Sequence, residues 1–403
     1  MDLKIFAVMV AGAAIRLSLS LLFPSLHAVL DQRVEITTTM TSFKQLREGF
    51  FLYNLGVSPY DGGVYHQAPA LLYIFEQFEK YGSTAPESCS IMLFYCILDL
   101  MAGYYLYKIS KSSVFAKTTQ LKGWIITSIY VLNPLVIVTG LARSTAVLSN
   151  TILLGAIAYA TTNTLLFSAI FLALASHINF YMCYLVPPML VLWTTMSNKY
   201  FSTIALTVYI AVFGMLALGG YYMTGSWQYI QSSYGYILFF GDLVPNMGLW
   251  WYFFMEMFDF FRPLFTYVFQ LYSLIYVLPI TIRLHKQPLF AMTTILGITA
   301  ISKPYPEMGD LAVYISLLSV FYYLFPNIRY VLLSAFVVLH SLVLAPSFYH
   351  LWIYLGSGNA NFFYAITLVY TVGVSITIAD SLRAMLRVEF DGGENPSKMV
   401  VLM

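Results

Sequence analysis

Charge is scarce in this sequence: Asp, Glu, Lys and Arg together make up 9% of 403 residues. A soluble globular chain carries about 25%, so a soluble domain is excluded. Cysteine is nearly absent. Cys89, Cys96 and Cys183 are odd in number and hold no CxxC spacing, which supports neither a disulfide framework nor a thiolate zinc site. Cys96 and Cys183 lie in apolar runs and are expected to be buried and inert. The histidines His27, His66, His177, His285, His340 and His350 show neither HxxxH nor HExxH spacing, so no metal centre is expected. A glycine-rich phosphate loop is missing too, which argues against nucleotide-driven transport. No polybasic tail occurs, and a net charge of +2 gives no reason to expect nucleic acid as a partner. No cofactor and no nucleophilic catalytic set is indicated.

What is present is apolar. Hydrophobic residues make up 60% of the chain and the mean hydropathy is +0.76. These values predict an all-α polytopic membrane protein, a single transmembrane domain over 1–403. A span needs ~20 apolar residues, fewer when it packs inside a bundle. Candidate spans are 3–23, 89–107, 124–142, 146–162, 164–177, 178–195, 200–223, 264–282, 287–302, 310–325, 329–346 and 361–386, about twelve in all. The N-terminal run reads as a retained helix, because Arg16 interrupts it and no small-x-small site precedes Pro24. Arg16 is expected near the membrane boundary, snorkelling or meeting a lipid phosphate.

Basic residues set the orientation. Lys108, Lys111, Lys117 and Lys122 fall in one acid-free loop, and Arg283, Lys286, Lys199, Arg329, Arg383 and Arg387 share its side if the spans alternate. The positive-inside rule makes that side cytosolic and places both termini there. Arg143 and Lys303 fall on the other side.

That other face receives the loops 24–88, 224–263, 303–309 and 347–360. In the first, Phe43, Leu46, Phe50 and Tyr53 have helical spacing and predict an amphipathic interfacial helix. Leu71–Phe78 is too short to span and predicts a second interfacial or re-entrant helix. In 224–263, Trp250, Phe254, Met257 and Phe261 fall on one helical stripe, which suits an interfacial helix; plain core packing is the alternative. In 303–310, Lys303, Glu307 and Asp310 are expected to pair with one another. Arg143, followed by Ser144 and Thr145, has no acid nearby in sequence and is the better phosphate candidate. Asp99 is an acid in mid-span, expected to be paired within the bundle. His66 and His350 fall in the motif loops.

The densest polar and aromatic cluster is Tyr349–Tyr364. Gly356 and Gly358 permit sharp turns there, and Asn359 and Asn361 offer uncharged donors and acceptors. Trp352, Tyr354, Phe362, Phe363 and Tyr364 suit the headgroup level of a bilayer. The residues alone allow either an aromatic belt with a polar turn or a site for a polar lipid headgroup.

Gly56-x-Ser-Pro-Tyr60, Tyr65 and Pro69-x-Leu-Leu72 resemble the first luminal loop of GT-C mannosyltransferases of the endoplasmic reticulum. The acidic pair those enzymes carry is replaced here by Arg33-Val-Glu35, with Asp31 upstream, so Glu35 stands alone as a candidate base. A closer resemblance covers nearly the whole chain. Glu48-Gly49 through Gly56-Val-Ser-Pro-Tyr60, Leu132-Asn-Pro134, Ser168–Ala175, Asp242-Leu-x-Pro-Asn246, Gly248-Leu-Trp-Trp-Tyr-Phe-Phe-Met-Glu-Met-Phe258, Trp352-Ile-Tyr354 and Asn361–Leu368 run in the order found in the PIG-U family of GPI transamidase subunits. That resemblance implies a GT-C-like bundle with luminal interfacial helices in the endoplasmic reticulum membrane. It also implies a non-catalytic subunit that binds and presents the GPI lipid, beside a cysteine-protease-like catalytic subunit and scaffold subunits. Asn359, Asn361, Phe362, Phe363, Tyr364, Arg143, Trp251 and Phe254 are the candidate GPI-lipid residues on this reading. The alternatives are a GT-C glycosyltransferase using a dolichol-linked mannose, and a lipid transporter, which inverted repeats would mark.

Overall fold

The computed structural model describes residues 3–81, 87–112, 121–241 and 244–391. Lys117 of the basic loop, Asp242 and Leu243 of the Asp242–Asn246 motif, and the tail from 392 lie outside the described residues. Among the described residues there are helices and no strands. Each of the twelve predicted segments coincides with helical structure. Among the described residues seven helices are long and apolar enough to cross a membrane, or eight if the pair bent by 48°, Gly123–Val131 with Pro134–Leu141, is one span. The other four segments, Ala146–Thr161, Leu165–Ile178, Phe180–Met196 and Pro288–Ser302, are apolar but only 10–17 residues long. Ala146–Thr161 and Pro288–Ser302 are buried on nearly every side, as helices without an apolar stripe should be.

The described residues form two compact units, the first reaching to Val320 and the second starting at Phe321. In the first unit the bend at 131–134 follows from the sequence. Asn133 caps the second half-helix, its side chain accepting from Leu135 N at 3.0 Å, and Pro134 takes a first-turn position where a missing N–H costs nothing. The break leaves backbone carbonyls of the first half-helix open. Arg16 closes one: its Nη1 donates to Val131 O at 2.8 Å and to Gly12 O at 3.1 Å. Its Nε donates to Asp99 Oδ2 at 2.8 Å. Both side chains are buried, so Arg16 neither snorkels nor reaches a lipid phosphate; this corrects the expectation for Arg16 and agrees with that for Asp99. Gly140 makes the approach possible, since a Cβ there would meet Asp99 Oδ2 at 2.6 Å.

Residues 24–81 of the first loop fold into three helices. Phe43–Asn54 and Pro69–Tyr81 stand where the amphipathic patterns predict them, preceded by the short Leu26–Asp31. Phe43, Leu46, Leu71, Leu72 and Phe75 enter a core shared with Tyr95, Val147 and Tyr229. His66 ties this loop to the 224–241 segment through Nδ1 and Ser232 O, 2.8 Å apart, and its ring stacks on Tyr236 at 3.6 Å.

The predicted 248–261 helix is corrected. The helix covers only Trp250–Glu256, and Met257 is extended. Pro263 opens the next helix, Arg262–Leu274. Met257 and Phe258 are both extended, Asp259–Phe261 makes a separate short turn, and Pro263 takes a first-turn position where its missing N–H costs nothing. The four-residue stripe therefore never forms.

The second unit is built on the helices Val331–Tyr349 and Ala360–Phe390 packed side by side. Asp380 accepts from Arg329 N and Tyr330 N, each at 2.7 Å, at the entry to the first of them. Arg383 pairs with Asp380 at 2.8 Å and donates to Asn327 O at 2.6 Å.

Candidate functional site

The Tyr349–Tyr364 turn is assembled by its backbone. Val331–Tyr349 continues into a wide turn, His350–Tyr354, and the chain then reverses at Gly356, whose φ of +63° favours glycine. Ser357 N and Gly358 N both donate to Leu351 O at 3.0 Å, which closes the helix end. Asn359 is extended and caps Ala360–Phe390, its Oδ1 accepting from Phe362 N at 3.2 Å. Asn359 and Asn361 are both exposed. Phe362 is 55% exposed and stacks against Phe348 at 6.0 Å. Phe363 is fully buried against Tyr349, 5.3 Å away, and Trp352, while Tyr364 is half-buried. The turn thus offers amides, a helix N-terminus and the open rings of Tyr354 and Phe362 beside the buried Phe363.

Arg143 lies in the first unit and takes a left-handed backbone, φ +60°, after the Pro134–Leu141 helix. Tyr95 OH donates to Arg143 O at 2.6 Å and helps to fix the turn. The guanidinium lies 5.5 Å from the centre of the Phe43 ring, in cation–π range, and lines cavities of about 490 and 130 Å³. Trp251 and Phe254 are 0% and 3% exposed, packed into the first unit with Trp250, whose Nε1 donates to Ser302 O at 2.8 Å. Any role they have toward a lipid runs through the packing of this helix.

Sequence reasoning missed a polar seam in the first unit. Glu307 is buried and accepts from Thr38 Oγ1 at 2.9 Å, from Thr41 Oγ1, and from Ser144 Oγ at 3.3 Å. Thr145 N donates to Thr41 O at 3.0 Å, and Met308 N to Glu35 O at 3.1 Å. Three loops distant in sequence are joined here. Lys303 pairs with Asp310 at 2.6 Å, as expected, but Glu307 takes hydroxyls instead. Burial pushes the Glu307 carboxyl up to about 7, against the pull of Lys303, while Asp310 raises it further. The Glu307-x-x-Asp310 spacing is a reciprocal capping box for the Met308–Leu318 helix, a signal the sequence does carry.

The acids of the first loop do not form a pair. Asp31 accepts from Ser42 Oγ at 3.2 Å, Phe43 N at 3.0 Å and Lys44 N at 2.8 Å, so it caps the Phe43–Asn54 helix. Glu35 is buried, which raises its pKa, and neither of its carboxylate oxygens has a hydrogen-bond partner among the described residues. Among the described residues no three His, Cys, Asp or Glu side chains are grouped to hold a metal ion. Cys96 is buried, whereas Cys183 is only half-buried, 3.5 Å from Tyr209 OH.

The sequence matches the family described as GPI transamidase subunit PIG-U over residues 10–370. It is 36% identical over 396 residues to GPI transamidase component GAB1 of Saccharomyces cerevisiae, covering 98% of this chain and 97% of that protein. It is 32% identical over 412 residues to GPI-anchor transamidase component PIGU of Homo sapiens, covering 95% and 94%. It is 35% identical over 368 residues to the GPI transamidase component GAB1 homolog of Schizosaccharomyces pombe, covering 90% and 88%.

Proposed function

Since the chain belongs to the PIG-U family of GPI transamidase subunits, we propose that it is a non-catalytic subunit that binds and presents the GPI lipid during anchor attachment. On this reading it works in the endoplasmic reticulum membrane with both termini cytosolic. Its partners are the GPI lipid, a cysteine-protease-like catalytic subunit and scaffold subunits. The observation that carries the lipid role is the Asn359–Tyr364 turn. Exposed amides can bond inositol or sugar hydroxyls without the desolvation cost of a charge. The N-terminus of Ala360–Phe390 favours phosphate, and exposed Phe362 offers a ring to an acyl chain. Arg143 is a second phosphate candidate.

Substitution separates a lipid contact from mere capping. Aspartate caps a helix as well as asparagine does, yet sets negative charge beside an anionic headgroup. The double variant Asn359→Asp, Asn361→Asp is expected to cut GPI attachment about tenfold while the complex assembles at its normal level. Normal attachment in that variant defeats the proposal. Orientation is tested with a glycosylation acceptor inserted at 358 and another at 111. Only the first is expected to be modified, and the reverse pattern overturns the topology.

A further inference from the structure

The Arg16–Asp99 pair leaves two atoms unfinished. Arg16 engages Nε and Nη1, and Asp99 engages Oδ2. Arg16 Nη2 and Asp99 Oδ1 are buried with no hydrogen-bond partner among the described residues. A buried donor and a buried acceptor left unpaired are each destabilising. Both residues line a cavity of about 130 Å³ within the first unit, bounded by the helices Leu3–Leu22, Leu26–Asp31, Glu87–Ser110 and Pro134–Leu141. Leu21, Phe23, Leu26, Met92 and Leu141 give this cavity an apolar wall. Leu21 and Phe23 are 63% and 56% exposed, so the wall continues onto the outer surface at the end of the first apolar span.

The charges select what can enter. A phosphate or carboxylate at this point meets the Asp99 carboxylate, and an ammonium group meets the Arg16 guanidinium. Arg143 also lines the cavity, but its guanidinium is engaged with the Phe43 ring, 5.5 Å from its centre. A hydroxyl suits both unfinished atoms at once, because its O–H donates to Asp99 Oδ1 while its oxygen accepts from Arg16 Nη2. Water alone is a poorer filling, since each buried water needs two to four polar partners. Of the other polar groups on the wall, the Tyr95 hydroxyl already donates to Arg143 O at 2.6 Å, and His27 Nδ1 lies 2.7 Å from Pro24 O. We propose that this cavity binds a neutral lipid alcohol, with its hydroxyl between Arg16 and Asp99 and its hydrocarbon body leaving along Leu21 and Phe23. The site shares no residue with the Asn359–Tyr364 turn, and its ligand carries no phosphate.

The test uses the intact complex, purified in detergent and stripped of lipid, carrying this chain as wild type or variant. A long-chain alcohol bearing a diazirine is photo-crosslinked, and adducts are mapped by mass spectrometry to the peptides holding residues 21–27 and 89–99. The methyl ether of the same probe keeps the acceptor and loses the donor. It is expected to label these peptides about tenfold less, because Asp99 Oδ1 then stays unpaired. The phosphate monoester of the alcohol is expected to label no better than the ether. Met92→Trp, which narrows the cavity and leaves the pair in place, is expected to lower labelling by the alcohol about tenfold. Arg16→Met, Asp99→Leu is expected to label equally with alcohol and ether. Equal labelling by alcohol and ether in the wild type overturns the proposal, and so does alcohol labelling that Met92→Trp leaves unchanged. Failure of the alcohol to label these peptides overturns it in favour of water only. Stronger labelling by the monoester than by the alcohol overturns the hydroxyl assignment in favour of an anion.

Discussion

Arg16–Asp99 in the first unit and Asp380–Arg383 in the second are aspartate–arginine pairs that face opposite problems. In the first unit a cation does the closing: Arg16, held by Asp99, takes the carbonyl of Val131 left open by the Asn133-Pro134 break. In the second an anion does it: Asp380, steadied by Arg383, takes the amides of Arg329 and Tyr330 at the start of a helix. Where charge is so rare, it serves to finish backbone that the helices leave unfinished. The surroundings differ as well. Arg16 and Asp99 are both shut away from solvent, whereas the Arg383 side chain is 37% exposed.

Breaking the buried pair should have the largest effect. Arg16→Ala or Asp99→Ala alone leaves an uncompensated buried charge and should cost about 3–5 kcal/mol, seen as loss of folded protein in thermal unfolding in detergent. The double variant Arg16→Met, Asp99→Leu should recover much of that loss. A double variant worse than either single would show that the pair is not what stabilises this region.

Glu307 sharpens the comparison, being a buried acid that leans on hydroxyls rather than arginine. Its carboxyl is raised from an ordinary 4.5 to about 7, so the folded state favours the protonated form. The stability this contributes is fully present below about pH 4.5 and is lost as the pH rises through about 7. Melting temperatures should fall across that window for the wild type and stay flatter for Glu307→Gln. An equal slope in both would remove Glu307 as the cause.

The half-exposed pair should respond least. Arg383→Ala should cost at most about 1 kcal/mol, because water screens the lost ion pair. Asp380→Ala, which also strips two backbone amides of their acceptor, should cost about 1–3 kcal/mol. Equal losses for Arg383→Ala and Arg16→Ala would erase the distinction between the pairs.

The helices are legible in the sequence because apolar runs report them directly, and Asn133-Pro134 and Asn359 mark their starts through local chemistry. The two amphipathic helices of the 24–88 loop are equally plain, since periodicity is local information. Arg16 with Asp99 is not legible, because partners 83 positions apart leave no periodic trace. Glu307 is missed for the same reason, and because its partners are hydroxyls common on any helix. The Trp250 stripe misleads because periodicity does not register the extended backbone at Met257 and Phe258, which parts the stripe in two. At the candidate site, the amides and rings of 359–364 are visible as composition. That Phe363 turns inward and Phe362 outward depends on how Tyr349 and Trp352 fill the space.

The Glu307 seam also sets a clock on biosynthesis. Thr38 and Glu307 are 269 positions apart, so at roughly 5–20 residues per second the ribosome takes about 15–55 s to deliver the second after the first. Through that interval the early loops must wait with Thr38, Thr41 and Ser144 still bonded to water. Their fastening waits until the 303–310 segment emerges. A nascent chain arrested before that segment would carry most of its helices and yet hold its first loop open, a state that a protease or a chaperone could read as unfinished.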